Sequence, residues 1–248
     1  MTEIFISTAK SALAACTLAT LLIFHPAFGA PPKEPNPAEQ ADQLVAAAKR
    51  IFQSFAADPS KKSFQKALSA AQGVLIVPRL VRVGFIFGGS SGHGVLVVRN
   101  AAGKWTGPAF YSLGDTTVGL QFGLQLSEIV ILVMNQDALN LLVSSKGRGG
   151  FSAHIAFGPV GSGAQSSLQG GLITVSRSSM LYGGVNLERT MVSAEDAWNT
   201  AYYGTRTLAA DILEGRTATP LNAEGLLSAV SEAAASPPET AATEHGNK

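Results

Sequence analysis

"TVGLQFGLQL", residues 117–126, decides the fold class. Val118, Leu120, Phe122, Leu124 and Leu126 alternate with Gly119, Gln121, Gly123 and Gln125. That period of two belongs to a β-strand, not to a helix of 3.6 residues per turn. One face is apolar; the other is glycine and glutamine, either lightly solvated or closely covered. "SEIVILVM" (127–134) continues as a fully apolar strand.

Outward from this stretch, residues 82–134 read as consecutive strands, preceded by "GVLIVP" (73–78), a short buried strand ended by Pro78. Upstream, Leu44, Ala48, Ile51 and Phe55 recur at three- and four-residue steps, the apolar stripe of an amphipathic helix that starts near Ala38. Asp58-Pro59-Ser60 stops that helix and caps the next, where Phe64 and Leu68 lie four apart. Downstream, "NQDALNLLVSSK" (135–146) reads as a short helix begun by Asn135 or Asp137. Strands resume at "FSAHIAFG" (151–158), "LQGGLITVSR" (168–177) and "MLYGGVNLER" (180–189). "SAEDAWNTAYYG" (193–204) is a helix with Ser193 as its cap and Asp196 as a near capping-box partner, and "TRTLAADILEG" (205–215) adds a last turn or two before Gly215. The order of helices, many strands and helices predicts an α+β fold. Its core is a largely antiparallel multi-stranded sheet or half-barrel, with N-terminal amphipathic helices and C-terminal helices packed on it.

The ends read differently. Residues 1–30 have the plan of a signal peptide: Lys10, an apolar run to Phe24 and a small-residue cleavage site near Gly29-Ala30. This implies export to the periplasm or envelope. The lone cysteine, Cys16 in "LAAC", also matches a lipoprotein cleavage box, but it sits inside the apolar run instead of closing it. Residues 31–40 form a Pro-rich linker, and 216–248 read as a weakly helical to disordered tail, leaving 41–215 as the globular domain.

"GFIFGGSSGHGVLVV" (84–98) raises the question of chemistry. Gly88-Gly89-Ser90-Ser91-Gly92 matches the G-x-S-x-G nucleophile pattern, which needs a strand-to-helix turn, an acid and a histidine. "GVLVV" follows instead as a strand. Asp115 or Glu128 could be the acid, but His154 is the sole downstream base in the globular part, and His93 is too near Ser90 in sequence. A phosphate loop would need Lys and Ser/Thr where Val95 and Leu96 stand, and a dinucleotide fingerprint would need glycine at Val97. The expected role is a hairpin turn. No metal-ligand spacing is found, so no catalytic residues, metal or cofactor are assigned.

The formal net charge of +1 supplies no global field for nucleic acid. Cations nevertheless collect locally: Lys49, Arg50, Lys61, Lys62, Lys66, Arg79 and Arg82, with Asp58 alone opposing them between 49 and 82. On an amphipathic segment this pattern suits an anionic membrane surface; the alternative is a solvated helix face with intramolecular partners. Phe52, Phe55 and Phe64 are candidates for insertion or for core packing.

The strand block, together with "WTGPAF" (105–110), "FGPVGSG" (157–163) and "AYYGTRTLAADILEG" (201–215), resembles the SYLF domain over about residues 41–215. This is a lipid-binding family also named for the actin-binding activity of fungal members. The resemblance implies a non-enzymatic module that binds anionic phospholipid, with phosphoinositide-like head groups, through its basic N-terminal segment. An export signal makes actin a poor native partner. An envelope protein or a second copy, docking on the Gly/Gln face of residues 117–125, is the competing expectation.

Overall fold

Gly73–Gly84 forms β1, the strand about which the sheet is arranged. It pairs on one side with β2 (Phe87–Arg99) and on the other with β4 (Phe122–Val133). Outside these lie β3 (Trp105–Val118), β5 (Ala153–Phe157), β6 (Ser167–Gln169), β7 (Leu172–Gly183) and β8 (Glu188–Ala194), in the order β5-β8-β3-β2-β1-β4-β7-β6. Every neighbouring pair is antiparallel. Among the described residues six α-helices complete the fold: α1 (Pro37–Ala56), α2 (Lys62–Ala70), α3 (Gln136–Val143), α4 (Asp196–Tyr203), α5 (Ala209–Leu213) and α6 (Leu221–Ala235). The α+β class and the antiparallel sheet are as the sequence predicts. This computed structural model describes residues 36–84, 87–118, 122–143, 153–157, 167–169, 171–183 and 188–235, all within one unit, Asn36–Lys248. The expected signal segment 1–30 and the linker up to 35 lie outside the described residues, as do the connections of the 135–190 region and the end of the tail.

Half of the sheet is buried on both faces, which explains its unbroken apolar runs. Val74, Ile76, Val95, Val97, Val130 and Leu132 join Phe52, Phe55, Phe64 and Leu226 in one core under α1, α2 and α6. Leu75, Val77, Leu96, Ile129, Ile131 and Val133 join Leu142 and Ile212 in a second, under α3 and α5. Of the two roles open to Phe52, Phe55 and Phe64, insertion or core packing, the structure gives core packing.

Pro78 does not end its strand. The register of β1 shifts between Ile76 and Arg79 against β2 and between Val77 and Leu80 against β4, so the proline sits in a bulge on both sides. It has no N–H to give a ladder, and a bulge is where a strand tolerates that. The extra residue resets the alternation: Leu80, not Arg79, lies with Leu75 and Val77 in the second core. Facing the bulge, Gly92 and Gly94 let the two backbones close. A Cβ on Gly92 would stand 2.6 Å from the Arg79 carbonyl oxygen, and one on Gly94 2.8 Å from that of Ile76. Residues 88–94 are thus strand, not the expected turn, and none of Gly88, Gly89, Gly92 and Gly94 has positive φ.

Three further readings are corrected. Residues 117–126 belong to two strands: β3 ends at Val118 and β4 begins at Phe122, on opposite sides of the β1–β2 hairpin. Ser193 is in β8, so α4 takes Glu195 as its N-cap without a side-chain cap bond. The supposed tail contains α6, whose Ala223, Leu226, Ala229, Val230 and Ala234 are buried against α1 and its neighbours. Small residues hid that burial: alanine and glycine allow close helix approach yet carry little apolar periodicity.

Because backbone atoms line both glycine positions, Gly94→Ala should lower stability by about 1–3 kcal/mol. Urea titration followed by circular dichroism would read this as a lower midpoint. An unchanged midpoint would contradict the close approach at the bulge.

Candidate binding surface

The nucleophile pattern at residues 88–92 does not bring Ser90 to either histidine, although Asp115 is its register partner on β3. Ser90 is buried in β2, and His154 lies in β5, across β3 and β8 from it. Three strand spacings of ~4.8 Å put the backbones roughly 14 Å apart. His93, three residues along β2, projects to the opposite face, where it stacks on Trp198 with ring centroids 4.6 Å apart. Among the described residues no group of three or more His, Cys, Asp or Glu side chains could hold a metal ion.

The seven cations are dispersed by the fold. Arg50 on α1 and Lys66 on α2 are exposed, whereas Lys49 reaches along α6: a Cβ on Gly225 would stand 2.9 Å from its Nζ. Arg79 is exposed on the α1 side of the sheet. Arg82, an odd number of residues further, faces the other side, level with Ser90 and the buried Gln125, and its Nε is buried. The side chains of Lys61 and Lys62 lie outside the described ones. What unites Arg50, Lys66 and Arg79 is the lack of an intramolecular counter-ion: among the described residues, ion pairs form at Arg177 and Arg216 instead.

Beyond the helices, the α1 side of the sheet changes character in two steps. First comes a polar belt. Arg177 on β7 donates to Glu128 on β4 (3.1 Å) and to the Ser54 hydroxyl (2.9 Å), and lies over the Phe55 ring. Arg79 and His93 continue the belt across β1 and β2. Past it the same face is open and carries four exposed apolar side chains, Val83, Leu124, Leu126 and Met191, with Val81 partly exposed and the exposed Ser91 beside it. The alternation of 117–126 was legible, but its sense is reversed at Leu124–Leu126. Gln125, on the face expected to be open to a partner, is only 3 % exposed and donates to the Ser127 hydroxyl (3.2 Å). Arg177 and Met191 escaped sequence reasoning, because neither stands in a motif and only strand register brings them to this face.

The near end is tied down from α4. The Asn199 carboxamide oxygen accepts the Phe110 N–H (2.9 Å), and the Tyr203 hydroxyl donates to the Pro108 carbonyl (3.0 Å). Tyr202 donates to Asn222 on α6 (2.9 Å). Burial raises the pKa of both tyrosines well above the ordinary phenol range, helped by Asp42 for Tyr202 and by Tyr202 for Tyr203. Asp196 is also raised, by desolvation and then Glu195, with Arg206 opposing.

Residues 114–233, from the middle of β3 into α6, match the Ysc84 family model, described as Las17-binding protein actin regulator. LAS seventeen-binding protein 3 of Saccharomyces cerevisiae is 31% identical over 162 residues, which are 62% of this chain and 35% of that protein. An SH3 domain-containing protein of Schizosaccharomyces pombe is 32% identical over 168 residues, 64% of this chain and 38% of that one. SH3 domain-containing YSC84-like protein 1 of Homo sapiens is 27% identical over 204 residues, 77% and 58% of the two chains. The chain thus spans less than two thirds of the length of each of these relatives. No solved structure matches it.

The tyrosines set the alkaline behaviour. With pKa values raised in the folded state, they stabilise the fold fully below the ordinary phenol pKa of about 10. That contribution is lost as pH climbs above it, because the unfolded chain ionises first. Absorbance at 295 nm should therefore show tyrosines that titrate only together with loss of the circular dichroism signal, and Tyr203→Phe should shift that transition to higher pH. Free titration of all four tyrosines before unfolding would contradict their burial.

Proposed function

We propose that this chain, whose residues 114–233 match the Ysc84 (SYLF) family model, is a non-enzymatic module that docks on anionic phospholipid at the cell envelope. The observation that carries the reading is that, of the seven cations on the basic segment, Arg50, Lys66 and Arg79 are exposed and form no ion pair with a described carboxylate. A cation already paired inside the protein gains little from a membrane, whereas an unpaired one near an anionic surface contributes about 1 kcal/mol. Three such groups amount to roughly 3 kcal/mol, or about a hundredfold in affinity, before Lys61 and Lys62 are counted. Phosphoinositide-like head groups are the ligand that the family resemblance implies, and anionic phospholipids in general present the same charge. The plan of residues 1–30 supports export to the periplasm or envelope, with lipidation at Cys16 as the lesser route.

A second reading, a protein-interaction module, is favoured by the family description, since relatives are named for binding LAS seventeen. In that reading the Gly/Gln face does not serve at Gln125, which is buried.

Co-sedimentation with neutral and anionic vesicles across a salt series separates the two. Binding should require anionic lipid, fade with salt, and fall at least tenfold in Arg50→Glu/Lys66→Glu, with a further loss in Lys61→Glu/Lys62→Glu. Salt-insensitive binding, or none, would move the assignment to a protein partner.

A further inference from the structure

We infer that the open apolar end of the sheet is a second, separate lipid contact, which inserts below the head groups while the polar belt stays at their level. The inference rests on the lipid reading above, but on different residues. Val83 (54 % exposed), Leu124 (45 %), Leu126 (36 %) and Met191 (44 %) all lie on the α1 side of the sheet. Register makes three of them one patch: Val83 pairs with Leu124, and Val81 with Leu126. Met191 stands in the same row three strands away, with Gly114 and the exposed Ser91 between it and Val81. No described carboxylate side chain stands among them.

Geometry favours a bilayer over other occupants. Arg79 lies two residues before Val81 and four before Val83 on the same face of β1. A rise of ~3.4 Å per residue puts it roughly 7 and 14 Å behind them. With the strand tilted about 45° to the membrane normal, those spacings place Val81 and Val83 about 5 and 10 Å deeper than Arg79, the depth of the apolar groups of a surface-bound protein. Arg177 stands in the same belt with its side chain 47 % exposed, its charge shared with Glu128, so Arg79 is the belt cation left for a head group. A second protein copy fits less well. A stable interface engages about 20–30 residues a side, against four exposed apolar side chains here. A bilayer demands no such complementary surface.

The test uses the full chain with phosphatidylcholine vesicles, with and without phosphatidylglycerol. Val83→Ser/Leu124→Ser/Leu126→Ser should bind the anionic vesicles at least tenfold more weakly than the parent, with an unchanged urea midpoint. Leu124→Trp, which keeps the patch apolar, should shift its added emission to the blue on binding and be quenched by brominated acyl chains. If the parent binds while the triple variant binds equally and the emission added by Leu124→Trp is not quenched, the insertion is wrong and the cationic reading survives. If the parent binds neither vesicle, both fall. Concentration-dependent self-association that the triple variant abolishes, without any lipid effect, would assign the patch to a second copy and overturn the inference.

Discussion

A proline in the middle of a central strand sets the terms for the rest of this structure. β1 is flanked on both sides, so each of its residues is asked for an N–H or a C=O, and Pro78 has no N–H to offer. The double bulge resolves this without ending the strand. Its consequence is a phase change: before Pro78 the strand serves two apolar cores with alternate residues, and after it the alternation is restarted by one. The same bulge explains the glycines opposite, because a backbone displaced toward β2 leaves no room for a Cβ at positions 92 and 94.

β3 is the second organising strand, and it is held by side chains bonding to its backbone and by its own side chains bonding outward. Asn199 accepts the Phe110 N–H, Tyr203 donates to the Pro108 carbonyl, and the Thr106 hydroxyl donates to the Leu213 carbonyl at the end of α5 (2.9 Å). The Tyr111 hydroxyl donates to the Leu142 carbonyl near the end of α3 (3.0 Å). Helices from both faces are therefore fixed to one strand through groups too buried to exchange readily with water, and such bonds are costly to leave unmade. The result is a near half with rigid layers on both sides.

The far half has no such covering on its α1 side among the described residues. There the helical layer ends at Arg177, Glu128, Arg79 and His93, and beyond it Val83, Leu124, Leu126 and Met191 are exposed, with the exposed Ser91 between Val81 and Gly114. This division combines two properties: a stable frame and an exposed end whose composition need not satisfy a core. The serines and glycines of residues 88–94, which most resemble an enzyme motif, belong to the frame.

Much of this was legible in the sequence. The fold class followed from the alternation at 117–126 and the apolar run after it, because side-chain period reports local backbone geometry. The core helices followed from the spacing of Ala48 and Phe55, and of Phe64 and Leu68, and the resemblance to the family from motif order. Tertiary structure alone decided which side of a strand meets water. A period of two says that Leu124 and Gln125 face opposite ways, not which way is in; that depends on the helices that happen to cover each face and on a bulge 46 residues earlier at Pro78. It also decided which cations share a surface, since Arg79 and Arg82 are neighbours in sequence yet separated by the thickness of the sheet.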